Sequence, residues 1–255
     1  TRILTDPFLR DELPVTYIYP DGERSLTYIL REEFRGRFGE AVPECDLITI
    51  SHEHADHLNA YSLNLIPRKD IPVLFPASLP GKRSLIGETL AALGFNKLVP
   101  LYEWETYRLR DVEITCLPMP RLDKAVLPSA DATWLIQTPE GSVYHAHDAM
   151  ENEILWRVIG ERFHPDIAFL PVHYNYCRML AGAIGRYGYS PKDALPPDYV
   201  RTMFPIDLNA VVRLNMGPVE AIRAAELLRC RIAFPIGYTM EVKGVPQRLI
   251  LPIPH

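Results

Sequence analysis

Apolar positions along this chain gather in short, nearly continuous runs: 47–50, 71–75, 112–117, 133–138, 142–145, 167–172 and 232–236. Runs of this length read as strands, and their continuity points to sheets covered on both faces. Between them, helical spacing of apolar positions predicts helices over about 58–66, 79–93, 151–160 and 218–229. In the last, Pro218 suits a first helical turn, and Val219, Ile222, Ala225 and Leu228 fall near one face. Pro139-Glu140-Gly141 has turn chemistry and joins two strands as a hairpin that runs into Tyr144-His145-Ala146-His147-Asp148. The pattern is that of a mixed α/β (α+β) protein with helices packed outside its sheets.

Two stretches depart from this rhythm. Thr1-Arg2-Ile3-Leu4-Thr5-Asp6-Pro7-Phe8 reads as a strand already under way with no turn before it, as though N-terminal strands precede it in the native chain. From about 177 to 213, Gly182, Gly185, Gly188, Pro191, Pro196, Pro197 and Pro205 break the pattern. A long irregular segment within a single 1–255 domain reads as an insertion or lid, and its tyrosines (Tyr187, Tyr189, Tyr199) favour cover over disorder.

The chain's 255 residues, 47% of them hydrophobic, suffice for a substantial core. A net charge of -5 without a basic stripe argues against nucleic acid as a partner. No apolar run reaches the length of a membrane span. Cys45, Cys116, Cys177 and Cys230 form no close pair, which suits free thiols in a reducing, cytoplasmic setting. The sequence is compatible with a homo-oligomer.

Chemistry concentrates in Ser51-His52-Glu53-His54-Ala55-Asp56-His57, directly after the run 47–50. His52 and His54, two apart at a strand end, point the same way and can grip one ion. Asp56 and His57, where the backbone turns toward a helix, can face a second. Glu53 points away from the first ion and reads as a structural partner.

This H-x-H-x-D-H motif between a strand and a helix resembles that of the metallo-β-lactamase superfamily. The early strand ending in Asp6-Pro7 and the Tyr144–Asp148 segment, similar to the family's Tyr-His-x-Gly-Asp, extend the likeness. So do Asn215-Met216-Gly217-Pro218-Val219-Glu220-Ala221 and Phe234-Pro235-Ile236-Gly237-Tyr238, which look like its C-terminal helix and strand. The likeness is greatest to the branch of ascorbate-6-phosphate lactonases and N-acyl-phosphatidylethanolamine phospholipases D. It implies a four-layer αββα sandwich with metals at one edge. It also implies His52, His54 and Asp148 on one ion, and Asp56, His57 and the bridging Asp148 on another.

Two family imidazoles are absent. Leu117-Pro118-Met119-Pro120-Arg121-Leu122-Asp123 stands where many relatives place one, and Pro235-Ile236-Gly237 where they end in Pro-x-His. His173, after the run 167–172, is an added candidate, as a metal ligand or substrate contact against a capping role. His147 replaces the family's glycine and, like His145, reads as structural. Arg121, Lys124, Tyr174 and Tyr238 are candidates for binding a phosphate or carboxylate, beside ordinary packing roles.

The sequence therefore leads to a metal-dependent hydrolase acting on an ester, lactone or phosphodiester of a small, anionic molecule. Asp56 would serve as catalytic base, and zinc is expected, with manganese or iron able to use the same donors. The alternatives are a fold member with a degenerate one-metal or metal-free site acting as a binding or scaffold protein, and an iron or manganese oxidative enzyme.

Overall fold

Continuous apolar strands have side chains for two cores at once, and this chain uses them that way. The computed structural model describes residues 1–19, 22–32, 35, 36, 42, 44–78, 83–120, 130–172, 176–178, 211–213, 215–237 and 240–242. The chain runs through β1 (Ile3–Thr5), a hairpin of β2 (Glu12–Tyr19) and β3 (Gly22–Leu30), β4 (Leu47–Thr49), α1 (Ala60–Leu65) and β5 (Pro72–Pro76). It continues with α2 (Leu85–Ala92), β6 (Lys97–Leu101), β7 (Thr106–Leu109), β8 (Val112–Pro118), β9 (Ala132–Thr138), β10 (Gly141–His145), α3 (Glu153–Phe163) and β11 (Ile167–Pro171). It ends with β12 (Tyr176–Arg178), β13 (Val211–Arg213), α4 (Pro218–Leu228), β14 (Ile232–Ile236) and β15 (Met240–Val242).

One sheet has the order β1-β4-β5-β6, all parallel. The other, β14-β11-β10-β9-β8-β7, is parallel across its first three strands and antiparallel across the rest. Between them pack Leu47, Leu74 and Leu101 of the first sheet with Val112, Ile114, Cys116 and Trp134 of the second. The alternate residues Ile48, Val73 and Phe75 point the other way, onto Leu63 of α1 and Ile86 and Leu90 of α2. Leu117, Leu135, Tyr144 and Ala168 likewise face Trp156 and Ile159 of α3 and Ala221, Ala224 and Leu228 of α4. The result is the four-layer αββα sandwich. The strands β2, β3 and β15 form a separate small sheet, and β12 pairs with β13; residues 179–210, most of the expected insertion or lid, lie outside the described ones.

Local chemistry sets where the helices begin. Ser84 caps α2 by accepting the Gly87 N–H at 3.1 Å, and Asn152 caps α3 by accepting that of Leu155 at 3.0 Å. The capped start of α2 replaces the expected start at residue 79; residues 79–82 lie outside the described ones. No helix among the described residues is long and apolar enough to cross a membrane.

The inward face of α4 differs from the sequence expectation. Val219 and Ile222 are 72% and 65% exposed, and the buried positions are Ala221, Ala224, Leu227 and Leu228. The reason is Gly160 of α3, which lies so close to α4 that an added Cβ would sit 2.1 Å from the Leu227 carbonyl oxygen and 2.9 Å from Leu228 Cα. At that separation the helix backbone at Leu227 and Leu228 packs directly on Gly160, Ala221 and Ala224 are buried beside it, and Val219 and Ile222 face outward. Gly160→Ala must push the helices apart, and we expect a loss of about 1–3 kcal/mol in unfolding free energy, the range for overpacking a close-packed site. Urea denaturation checks this; an unchanged midpoint would show that the helices are not in contact there.

Candidate metal centre

The Ser51–His57 stretch leaves the carboxyl end of β4 and enters α1. The chain turns at His54, whose carbonyl accepts the N–H of His57 at 2.9 Å and of Leu58 at 2.7 Å. Asn59 then caps α1 through the Ser62 N–H at 2.9 Å and ties back to the Ala55 carbonyl through its own amide at 2.9 Å. Across the sandwich, β10 ends at His145 and the chain reverses in a four-residue turn closed by the Ala149 N–H on the Ala146 carbonyl at 3.0 Å. That turn delivers Asp148 to the imidazoles.

Asp148 Oδ2 lies 3.5 Å from His52 Nε2 and 3.6 Å from His54 Nδ1, while Oδ1 lies 3.4 Å from His57 Nε2. Asp56 Oδ2 is 3.7 Å from the same His57 nitrogen. These separations exceed hydrogen-bond lengths. They match donor atoms on neighbouring corners of a tetrahedron around a zinc ion, about 3.3 Å apart for bonds of about 2.0–2.1 Å. His52, His54 and Asp148 form a group able to hold an ion. The His52 side chain is fully buried and that of Asp56 is 44% exposed, so the cluster opens to solvent on the Asp56 side.

The imidazoles are aimed by Asp6, at the end of β1. Its Oδ1 accepts the Ser51 N–H at 2.7 Å, and its Oδ2 accepts the Ser51 hydroxyl at 2.5 Å and His57 Nδ1 at 2.6 Å. With the Ser51 hydroxyl donating to Asp6, His52 Nδ1, 2.8 Å from that oxygen, is the donor of its pair. Both rings are thus protonated at Nδ1, a tautomer assigned from the hydrogen-bond network. That leaves Nε2 of His52 and His57 toward Asp148, the outer-partner arrangement that sets ligand histidines.

Charge follows from these contacts. Burial would raise the Asp6 carboxyl, but His147 and His57 outweigh it and hold it well below its ordinary value. Burial would likewise lower the His57 imidazole, but Asp148, Asp56 and Asp6 hold it well above. The Asp148 carboxyl lies well below its usual range because the neighbouring imidazoles, His57 foremost, overcome its desolvation. Asp56 goes the other way: loss of water raises its carboxyl, His57 opposes, and the like charge of Asp148 adds to the rise.

The structure brings together His52, His54, Asp56, His57 and Asp148. His173, Arg121, Lys124, Tyr174 and Tyr238 lie outside the described residues. Gly237, in place of a family imidazole, has φ 84°, a left-handed conformation that favours glycine. His145 stacks between His147 and Phe169, at 3.9 and 5.4 Å between ring centres. Sequence reasoning gave no role to Asp6 or Ser51; the Asp-Pro at a strand end was the available signal.

A family model described as "Beta-lactamase superfamily domain" matches residues 1–238. A UPF0173 metal-dependent hydrolase of Thermofilum pendens is 24% identical over 251 residues, 97% of this chain and 78% of the relative. The mitochondrial N-acyl-phosphatidylethanolamine-hydrolyzing phospholipase D of Saccharomyces cerevisiae is 25% identical over 227 residues, 85% of this chain and 44% of the relative. Among solved structures, CmlA, a diiron β-hydroxylase from Streptomyces venezuelae, superposes with a TM-score of 0.60 at 21% identity. The match covers 90% of this chain and 45% of CmlA, so this chain spans less than half the length of CmlA and of the yeast relative.

Because Asp148, Asp56 and Asp6 hold the His57 imidazole well above its ordinary value, a proton competes with an ion for its Nε2. We expect zinc uptake at pH 7 to release about one proton per chain, and affinity to fall as pH is lowered. Calorimetry in buffers of different ionisation enthalpy measures the release; uptake with no proton change would contradict this competition.

Proposed function

The chain belongs to the β-lactamase superfamily domain family, and on that premise we propose that it is a metal-dependent hydrolase with a two-ion centre. One observation carries this reading: the two oxygens of Asp148 face separate imidazoles, Oδ2 toward His52 and His54 at ligand spacing and Oδ1 toward His57. His52, His54 and Asp148 would hold one divalent ion, and Asp56, His57 and Asp148 the other, with zinc the first expectation. When bound, such ions supply Lewis acidity and bring the pKa of water down toward about 7.

The chain's own groups divide the remaining work. Asp56, on the open side, orients a water molecule and takes up its proton. Asp6 and Ser51 keep the His52 and His57 rings from turning away. Arg121, Tyr174 and Tyr238 are proposed to recognise an anionic group on an ester, lactone or phosphodiester substrate, and His173 to complete the donor set or touch the substrate.

We expect the purified protein to hold about one to two divalent ions per chain. The double variant His52→Ala/His54→Ala should lose both the ions and turnover of generic lactone and phosphodiester substrates. Asp56→Asn should keep the ion on His52, His54 and Asp148 while lowering kcat by about 10²–10⁴-fold. Elemental analysis with these assays decides the matter: a native protein with neither metal nor turnover has a binding or scaffold role instead. The same donors suit iron and manganese, and one solved structure with this fold is described as a diiron hydroxylase. Oxygen consumption by the iron-loaded protein, without hydrolysis, would replace the hydrolytic assignment with an oxidative one.

A further inference from the structure

His147 occupies the first central position of the turn that delivers Asp148, and it does so with φ 51°. Glycine is the residue suited to a positive φ at that place, and a histidine there is strained. The strained side chain is not turned to solvent. It is 2% exposed, its Nδ1 lies 2.7 Å from Asp6 Oδ2, and its ring lies against His145. Its Nε2 is buried with no hydrogen-bond partner among the described residues, so the Asp6 contact is the bond that occupies this ring.

Asp6, His57 and His147 could be taken for a further set of ligands, since their donor atoms lie close together. The distances exclude it. His57 Nδ1 and His147 Nδ1 stand 2.6 and 2.7 Å from the same Asp6 oxygen, which are hydrogen-bond lengths. Atoms ligating one tetrahedral zinc stand about 3.3 Å apart. Protons, not an ion, fill these gaps, and the two rings share one acceptor.

We propose that His147 is a positioning residue for the metal centre: by donating to Asp6 it fixes the carboxylate that sets the tautomer and direction of His57. The proposal rests on the two-ion reading. The chain takes on a strained backbone at His147 and gains a donor that glycine does not have. That donor reaches from the β10 turn to the end of β1, so the Asp148 side and the His57 side of the centre are held in one register. An outer partner of this kind changes metal affinity by about 10–100-fold when removed.

The test compares wild type, His147→Gly and His147→Asn by titration of the metal-free protein with cobalt(II), reading affinity for each equivalent and the visible absorption bands. Glycine removes both strain and donor. Asparagine accepts a left-handed φ and carries an amide N–H at the position of Nδ1. The expected result is that His147→Gly binds the ion on Asp56 and His57 about 10–100-fold more weakly, with altered bands. His147→Asn should return both toward wild type. Wild-type affinity in the glycine variant would overturn the proposal, as would an equal loss in the asparagine variant, which would mark a role in packing alone. A wild-type protein that takes up no cobalt overturns the two-ion reading itself.

Discussion

The structure depends on one buried carboxylate. The Asp6 side chain is 8% exposed and accepts from the Ser51 backbone, the Ser51 hydroxyl, His57 and His147, so it joins the ends of β1 and β4 to the turn after β10. The first two strands belong to one sheet and the third to the other. A charge this far from water is tolerated only when its lone pairs are filled, and stranding one costs several kcal/mol. Each donor around Asp6 is therefore constrained by the others, and the imidazoles inherit that rigidity.

Three carboxylates, Asp6, Asp56 and Asp148, crowd one edge of the sandwich, and their environments set them apart. Neighbouring imidazoles hold two of them well below the ordinary carboxylate range, while burial raises the third. Pairs of like groups pushed in opposite directions mark a division between structural and reactive roles. The exposure gradient runs the same way, from the sealed His52 to the open Asp56.

Much of this was legible in the sequence. The runs that became β4, β5, β8, β9, β10, β11 and β14 showed because most serve two cores and carry little polar interruption. The strands not foreseen are poorer in that signal: β7 alternates at a sheet edge, and β6 carries exposed Lys97 and Pro100. The Ser51–His57 loop declared itself through spacing, and Asp148 through family resemblance. What spacing could not show were contacts made only when the layers dock. Gly160 against α4, where Leu228 is buried as expected but Val219 and Ile222 face outward, is one. His147 on Asp6 is the other, and it turned a residue read as merely structural into part of the site's frame.

Where the centre sits also bears on its assembly. Ser51 and His57 are 45 and 51 residues from Asp6 along the chain, and His147 comes from the opposite sheet. Drawing those segments together in a loose chain sets the entropy of closing long loops against a handful of polar contacts. The apolar seam of Leu47, Leu74, Trp134 and their neighbours supplies burial that offsets this cost. The donors of the cluster therefore lie together only where the two sheets are packed against each other.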